Sequence, residues 1–308
     1  MSILLVADNR DMKPFKEAIQ AIDSNLDVEI WPAVKDPKRV QFAVSWRHPK
    51  NVFANYPNLK VISSLGAGVD HLLSDTDIPQ HITFTRVVSP SLAEQMSEYI
   101  LSSVLNIQRK NHIYFDQQNQ GIWKPQTAYQ KEDLMIGVMG LGELGQKVCR
   151  TLLQNEYKVR GWSRTKKKVE GAETFTENDL DRFLQDSNLL VCLLPLTEKT
   201  SGILNLELFK KMAQPAFLIN AARGEHLVEE DLVYALDTGL IEHATLDVFT
   251  DEPLPDSHLF WNRSKITITP HVASVTKASE VADLLTENYK ALMSGQPLKY
   301  VVDREIGY

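Results

Sequence analysis

Short apolar runs recur along the whole chain, each bounded by turn residues. In the first hundred residues they fall at 3–7, 28–31, 42–45, 61–65 and 82–85. Their regular alternation with helical segments implies a parallel sheet covered on both faces. A second series runs through 134–139, 159–162, 189–194, 216–220, 244–248 and 266–269, again with helical segments between most members. No repeat of short period and no low-complexity tract interrupts either series. A chain of 308 residues exceeds the usual size of one domain. The fold expected is therefore α/β, with two doubly wound parallel-sheet domains.

A long helix separates the two series. Ser91 and Glu94 fit a capping box, with Pro90 just before the helix begins. Leu92, Met96, Tyr99, Ile100, Val104 and Ile107 then recur at three- and four-residue steps, an apolar stripe suited to joining domains or pairing with another subunit. Residues 116–133 are polar and glutamine-rich, with Trp123 and Pro125 in the middle, and read as a surface loop. A final helical pattern covers about 277–294.

Only the second series carries a nucleotide signature. Gly140-Leu141-Gly142-Glu143-Leu144-Gly145 directly follows an apolar strand and opens a helix bearing Val148, Leu152 and Leu153. Glycines there permit a tight turn and close backbone approach, while the helix N-terminus holds a pyrophosphate. The end of the next strand decides which dinucleotide. An NAD site usually presents Asp or Glu at that point, but this chain has Ser163, followed by Arg164, Thr165 and Lys166. No carboxylate there repels a 2′-phosphate, and all four residues offer donors to one. The expected cofactor is NADPH, with NADH the alternative.

Three residues of the last third form a chemical set. Arg223 stands just past a strand in Asn220-Ala221-Ala222-Arg223-Gly224, Glu252 lies between Asp251 and Pro253, and His271 follows Pro270. Ligands of open α/β sheets bind at such strand ends. A 2-oxo acid needs a guanidinium for its carboxylate and carbonyl, and a proton donor for the oxygen that becomes hydroxyl. A His beside a carboxylate meets the second need, because the negative neighbour favours the imidazolium.

These residues, with Leu65-Gly66-Ala67-Gly68-Val69-Asp70, Glu94–Tyr99, Leu194-Pro195-Leu196-Thr197 and the tail Val302-Asp303-Arg304, resemble the D-isomer-specific 2-hydroxyacid dehydrogenase family over nearly the whole chain. Within it the sequence is most similar to the glyoxylate/hydroxypyruvate reductase A subgroup. The resemblance implies a Rossmann dinucleotide-binding domain at 100–274 and a flavodoxin-like substrate domain built from 1–99 and 275–308. It implies that Arg223 binds substrate, that His271 is the acid/base, and that Glu252 orients and charges it. It further implies that the amides of Gly66, Ala67, Gly68 and Val69 contact the substrate carboxylate in an interdomain cleft. Leu194, Pro195, Ala221, Ala222 and Asp247 would line the nicotinamide half of the cofactor. Trp46 would shape the substrate pocket, a core Trp being the alternative. The long helix and the 116–133 loop would form a homodimer interface. Trp123 resembles an aromatic that reaches the partner's active site, with surface anchoring as the alternative.

Composition narrows the partners. With 33 basic against 40 acidic residues, the net charge of -7 speaks against nucleic acid and anionic membranes. Yet Arg160, Arg164, Lys166, Lys167 and Lys168 cluster between Glu156 and Glu170 with no acid among them, a local reversal of sign. Cys149 and Cys192 read as buried thiols, and no metal site is expected. Residues 1–7 lack the features of a signal peptide, so a cytoplasmic protein is expected. The activity these readings predict is NADPH-dependent reduction of glyoxylate or hydroxypyruvate. The alternatives are another D-2-hydroxyacid dehydrogenase, for phosphoglycerate or 2-oxo acids broadly, and a non-catalytic dinucleotide-sensing protein like the corepressors that resemble this family.

Overall fold

The computed structural model describes residues 1–308. The chain divides into two compact units, Met1–Ser91 with Thr276–Tyr308, and Leu92–Val275. The sequence places the crossing at 99/100; the structural division falls about two turns earlier, inside the same helix.

The first unit holds β1 (Ser2–Ala7), α1 (Lys13–Ile22), β2 (Val28–Ile30), β3 (Val40–Trp46), β4 (Val61–Ser64), the short α2 (Asp70–Leu73) and β5 (Thr83–Thr85). Its parallel sheet has the order β2-β1-β3-β4-β5. Leu4, Val6, Ala43, Ile62 and Phe84 are fully buried on it, which accounts for the apolar residues that β1, β3, β4 and β5 carry there. The chain's closing helix, Ala278–Ser294, returns to this unit, where the Tyr289 hydroxyl donates to the Met1 carbonyl at 3.2 Å.

The second unit holds α3 (Pro90–Gln108, entering from the first), α4 (Asn111–Gln120), β6 (Met135–Met139), α5 (Glu143–Gln154), β7 (Lys158–Trp162), β8 (Glu173–Phe175), α6 (Leu180–Gln185) and β9 (Leu189–Cys192). It continues with α7 (Leu206–Lys211), β10 (Phe217–Asn220), α8 (Glu229–Thr238), β11 (His243–Leu246) and β12 (Ile266–Ile268); the closing helix is α9. All seven strands are parallel, in the order β12-β11-β10-β9-β6-β7-β8. The order reverses between β6 and β9, the point where ligands of such sheets bind.

Three local expectations change. The cap of α3 is Ser89, whose Oγ accepts from the Ser91 amide at 3.2 Å, and Pro90 is the first helical residue. The apolar stripe of α3 is buried at home: Met96, Ile100, Val104 and Ile107 pack on Leu134, Ile136 and Val138 of the same unit. Residues 116–120 are helical, because α4 runs to Gln120 and ends at Gly121 in the left-handed conformation. Glutamine is a fair helix former even where no apolar period marks the helix. Trp123 beyond it is 99% exposed. No helix is long and apolar enough to cross a membrane.

Candidate active site

The second unit's expected residues stand at the C-terminal ends of its strands, one loop per strand. Gly140, past β6, has φ +104, and a Cβ there would lie 2.5 Å from the Leu193 carbonyl oxygen past β9. Only glycine lets these two chains close the switch point. Leu141 is buried, whereas Gly142 faces open space and Glu143 is exposed. Leu144 and Gly145 complete the first turn of α5, whose free amides suit a pyrophosphate.

Past β7, Ser163 donates its hydroxyl to the Thr165 carbonyl at 2.8 Å, closing the turn that presents Arg164, Thr165 and Lys166 to solvent. Arg160 does not share their task. Its guanidinium pairs with Asp186 at 2.8 Å and Glu173 at 3.3 Å, so the positive patch lies beyond the strand end.

Arg223 follows β10 on a braced loop. The fully buried Asn220 donates Nδ2 to the Arg223 carbonyl at 2.9 Å and accepts from the Ala222 amide at 3.2 Å. The Arg223 side chain itself donates to the Ala222 carbonyl at 2.6 Å. Ala221 and Ala222 are buried beneath, and Leu194 and Pro195 begin the neighbouring loop past β9.

Glu252 and His271 meet. His271 Nδ1 lies 2.8 Å from Glu252 Oε2, and the other carboxylate oxygen accepts from the Phe249 amide at 3.0 Å. Both side chains are mostly buried, at 24% and 12% exposure. A ring held this way at Nδ1 turns Nε2 into the nitrogen available for proton exchange. Asp247, 1% exposed, anchors the same loop: Thr269 Oγ1 and the amides of Val272 and Ala273 donate to its carboxylate at 2.6, 2.9 and 2.9 Å. The Tyr99 hydroxyl extends the chain, 2.7 Å from Thr269 Oγ1, and burial pushes it up to about 12. Sequence reasoning assigned Asp247 to the nicotinamide; in the structure its three donors come from the protein itself. Thr269, Asn220 and Tyr99 carry no sign of this supporting role in the sequence: Asn220 opens the Arg223 motif, Thr269 ends the 266–269 run, and Tyr99 is one member of the α3 stripe.

The remaining expected residues belong to the first unit. Gly66, Ala67, Gly68 and Val69 form the loop from β4 to α2, tightened by Ser64 Oγ, which donates to the Gly68 carbonyl at 2.7 Å. Trp46, at the end of β3, packs on Gly66 so closely that a Cβ would stand 2.6 Å from its ring. It also faces the His71 ring at 5.5 Å.

The model of the D-isomer specific 2-hydroxyacid dehydrogenase NAD binding domain matches residues 101–273. The glyoxylate/hydroxypyruvate reductase A of Photorhabdus laumondii is 39% identical over 307 residues, covering 96% of this chain and 98% of its own. That of Serratia proteamaculans is 40% identical over 279 residues, 89% of each chain. Among solved structures, a D-isomer specific 2-hydroxyacid dehydrogenase from Xanthobacter autotrophicus Py2 in complex with NADPH and MES superposes with a TM-score of 0.94 at 35% identity, over 100% and 99% of the two chains. The NADPH-dependent glyoxylate/hydroxypyruvate reductase of Sinorhizobium meliloti, in complex with NADP and sulfate, gives 0.93 at 34% identity over the whole of both.

Proposed function

The chain belongs to the D-isomer-specific 2-hydroxyacid dehydrogenases, and on that premise we propose that it reduces small 2-oxo acids, glyoxylate and hydroxypyruvate, to 2-hydroxy acids with NADPH. The observation that carries this reading is the 2.8 Å pair of His271 and Glu252 in the same row of strand-end loops as Arg223. Bound NADPH would supply the hydride to the carbonyl carbon. His271 delivers the proton to the carbonyl oxygen from Nε2, while Glu252 holds the ring in place through Nδ1. Arg223 binds the substrate carboxylate and withdraws electron density from the carbonyl. Asp247 holds the loop of His271, and in this reading Leu194, Pro195, Ala221, Ala222 and Asp247 border the nicotinamide.

For the cofactor, the residues fit a phosphorylated ribose: Gly142 leaves space at the helix start, and Arg164 and Lys166 rise exposed from the Ser163 turn. Relatives that carry NADPH or NADP support the same choice. The test is a turnover panel of glyoxylate, hydroxypyruvate and pyruvate with each cofactor. Oxidation of NADPH by the first two is expected, with a kcat/KM at least about tenfold above that with NADH, the scale of one charge-assisted contact. Protein that binds NADPH and turns over none of the three acids is not this enzyme, and a preference for NADH removes the role given to Ser163 and Arg164.

The working form in this reading is a homodimer. Exposed Leu105, Phe115, Ile122 and Trp123, gathered within residues 105–123, offer the apolar area a partner would cover. The reaction is placed in the cytoplasm, where the buried, free Cys149 and Cys192 would stay reduced.

A further inference from the structure

We propose that His226 is a positioning residue: its imidazole clamps the cofactor-side loop to the substrate-side loop of the second unit. The inference rests on the reading given above for Arg223 and Pro195. His226 is wholly buried, yet it is not apolar filling. Its Nδ1 lies 3.2 Å from the Arg223 carbonyl oxygen, and its Nε2 lies 3.3 Å from the Pro195 carbonyl oxygen. These carbonyls belong to the loops past β10 and β9, neighbours in the sheet whose strand register ends at Asn220 and Cys192. Beyond that register the Ala221 amide still donates to the Cys192 carbonyl at 3.4 Å, and backbone pairing resumes where the Gly202 amide donates to the Glu225 carbonyl at 2.8 Å; between these points the His226 ring joins the two loops.

The chemistry of the ring suits the task. Both carbonyl oxygens lie within hydrogen-bond reach of its two ring nitrogens, one on each side of the ring, so a single side chain spans the gap between the loops. Each carbonyl also has other donors, Asn220 Nδ2 at 2.9 Å and the His226 amide at 3.4 Å for Arg223, and Thr200 Oγ1 at 2.7 Å for Pro195. The ring is thus the link between two braced loops and does not merely cap a stray oxygen. The backbone strengthens its seat, because the Leu204 amide donates to the His226 carbonyl at 2.8 Å. A displacement of about 1 Å at a site of this kind can cost on the order of a hundredfold in rate. Fixing the Arg223 backbone therefore governs the substrate carboxylate, and fixing Pro195 governs the cofactor.

Three variants separate the two bonds. The amide of His226→Asn can stand near Nδ1 and keeps the Arg223 bond alone. That of His226→Gln can stand near Nε2 and keeps the Pro195 bond alone. His226→Ala keeps neither. Affinity for NADPH, read by fluorescence, and for oxamate in the NADPH complex is measured beside kcat and KM, with circular dichroism to verify the fold. The Asn variant should lose about tenfold in NADPH affinity and little in oxamate affinity, and the Gln variant the reverse. His226→Ala should lose both; if it fails to fold, the Asn and Gln pair alone decides. Equal constants throughout, or Asn and Gln variants that fail in the same way, overturn the clamp. A wild type that binds both ligands without turnover overturns the reductase reading and leaves the clamp to be judged on affinities. A wild type that binds neither overturns both.

Discussion

His271 occupies a backbone conformation that most residues avoid, with φ +54. Such a residue costs of order 1–3 kcal/mol and persists where its surroundings over-determine it. Here they do: its own amide lies 2.9 Å from the Asp247 carbonyl, the next two amides donate to the Asp247 carboxylate, and Glu252 holds the ring. His271→Ala keeps those backbone bonds and removes only the ring, so kcat should fall about 10²–10⁴-fold while KM changes little. Arg223→Ala removes a group that binds the substrate carboxylate in the ground state and stabilises the carbonyl oxygen more strongly in the transition state, so KM should rise and kcat should fall. Steady-state kinetics of the two variants checks both, and unchanged kcat in either withdraws its role. The catalytic side chains were legible in the sequence because their chemistry is in their type. Their supports were not: a Tyr, a Thr and an Asn look like ordinary stripe and strand residues until the fold sets them beside Asp247 or the Arg223 carbonyl.

Among the elements, the loop past β10 depends on a close approach to the loop past β11. A Cβ on Gly224 would stand 2.0 Å from the Phe249 carbonyl carbon and 2.1 Å from the Thr250 amide nitrogen, both backbone atoms that cannot swing aside. Gly224 thereby brings the loop of Arg223 against the loop that carries Glu252. Gly224→Ala should lower unfolding stability by about 2 kcal/mol or more, as overpacking does, and should reduce kcat/KM with it. Urea unfolding with parallel kinetics tests this; wild-type values for both would show that the approach has no such role. The buried strands were read within a residue or two, because a parallel strand covered on both faces must be continuously apolar. The edge strand β8, Glu-Thr-Phe, gave no such run, and α4 buries little beyond Gln117, so neither announced itself.

For the whole molecule, the open question is what covers Leu105, Phe115, Ile122 and Trp123. They remain exposed although the α3 stripe beside them is buried in its own unit. In the proposed dimer a partner covers them. Sedimentation velocity should then give twice the 34.9 kDa of one chain, and a Phe115→Glu, Trp123→Glu double variant should give a single chain. A monomeric wild type ends that part of the reading. At this scale the sequence by itself determined the class of architecture, the place of the dinucleotide motif and the family, since each rests on residue type at a local spacing. Tertiary structure decided where the basic side chains stand, turning Arg160 to Glu173 and Asp186 and leaving Arg164 and Lys166 exposed past the strand end. It also decided which polar side chains brace the site, because Asp247 and Thr269, or His226 and Pro195, are partners only once separate strands deliver their loops to one edge. Periodicity records which face of an element is buried; it carries no record of what meets that element from the next strand.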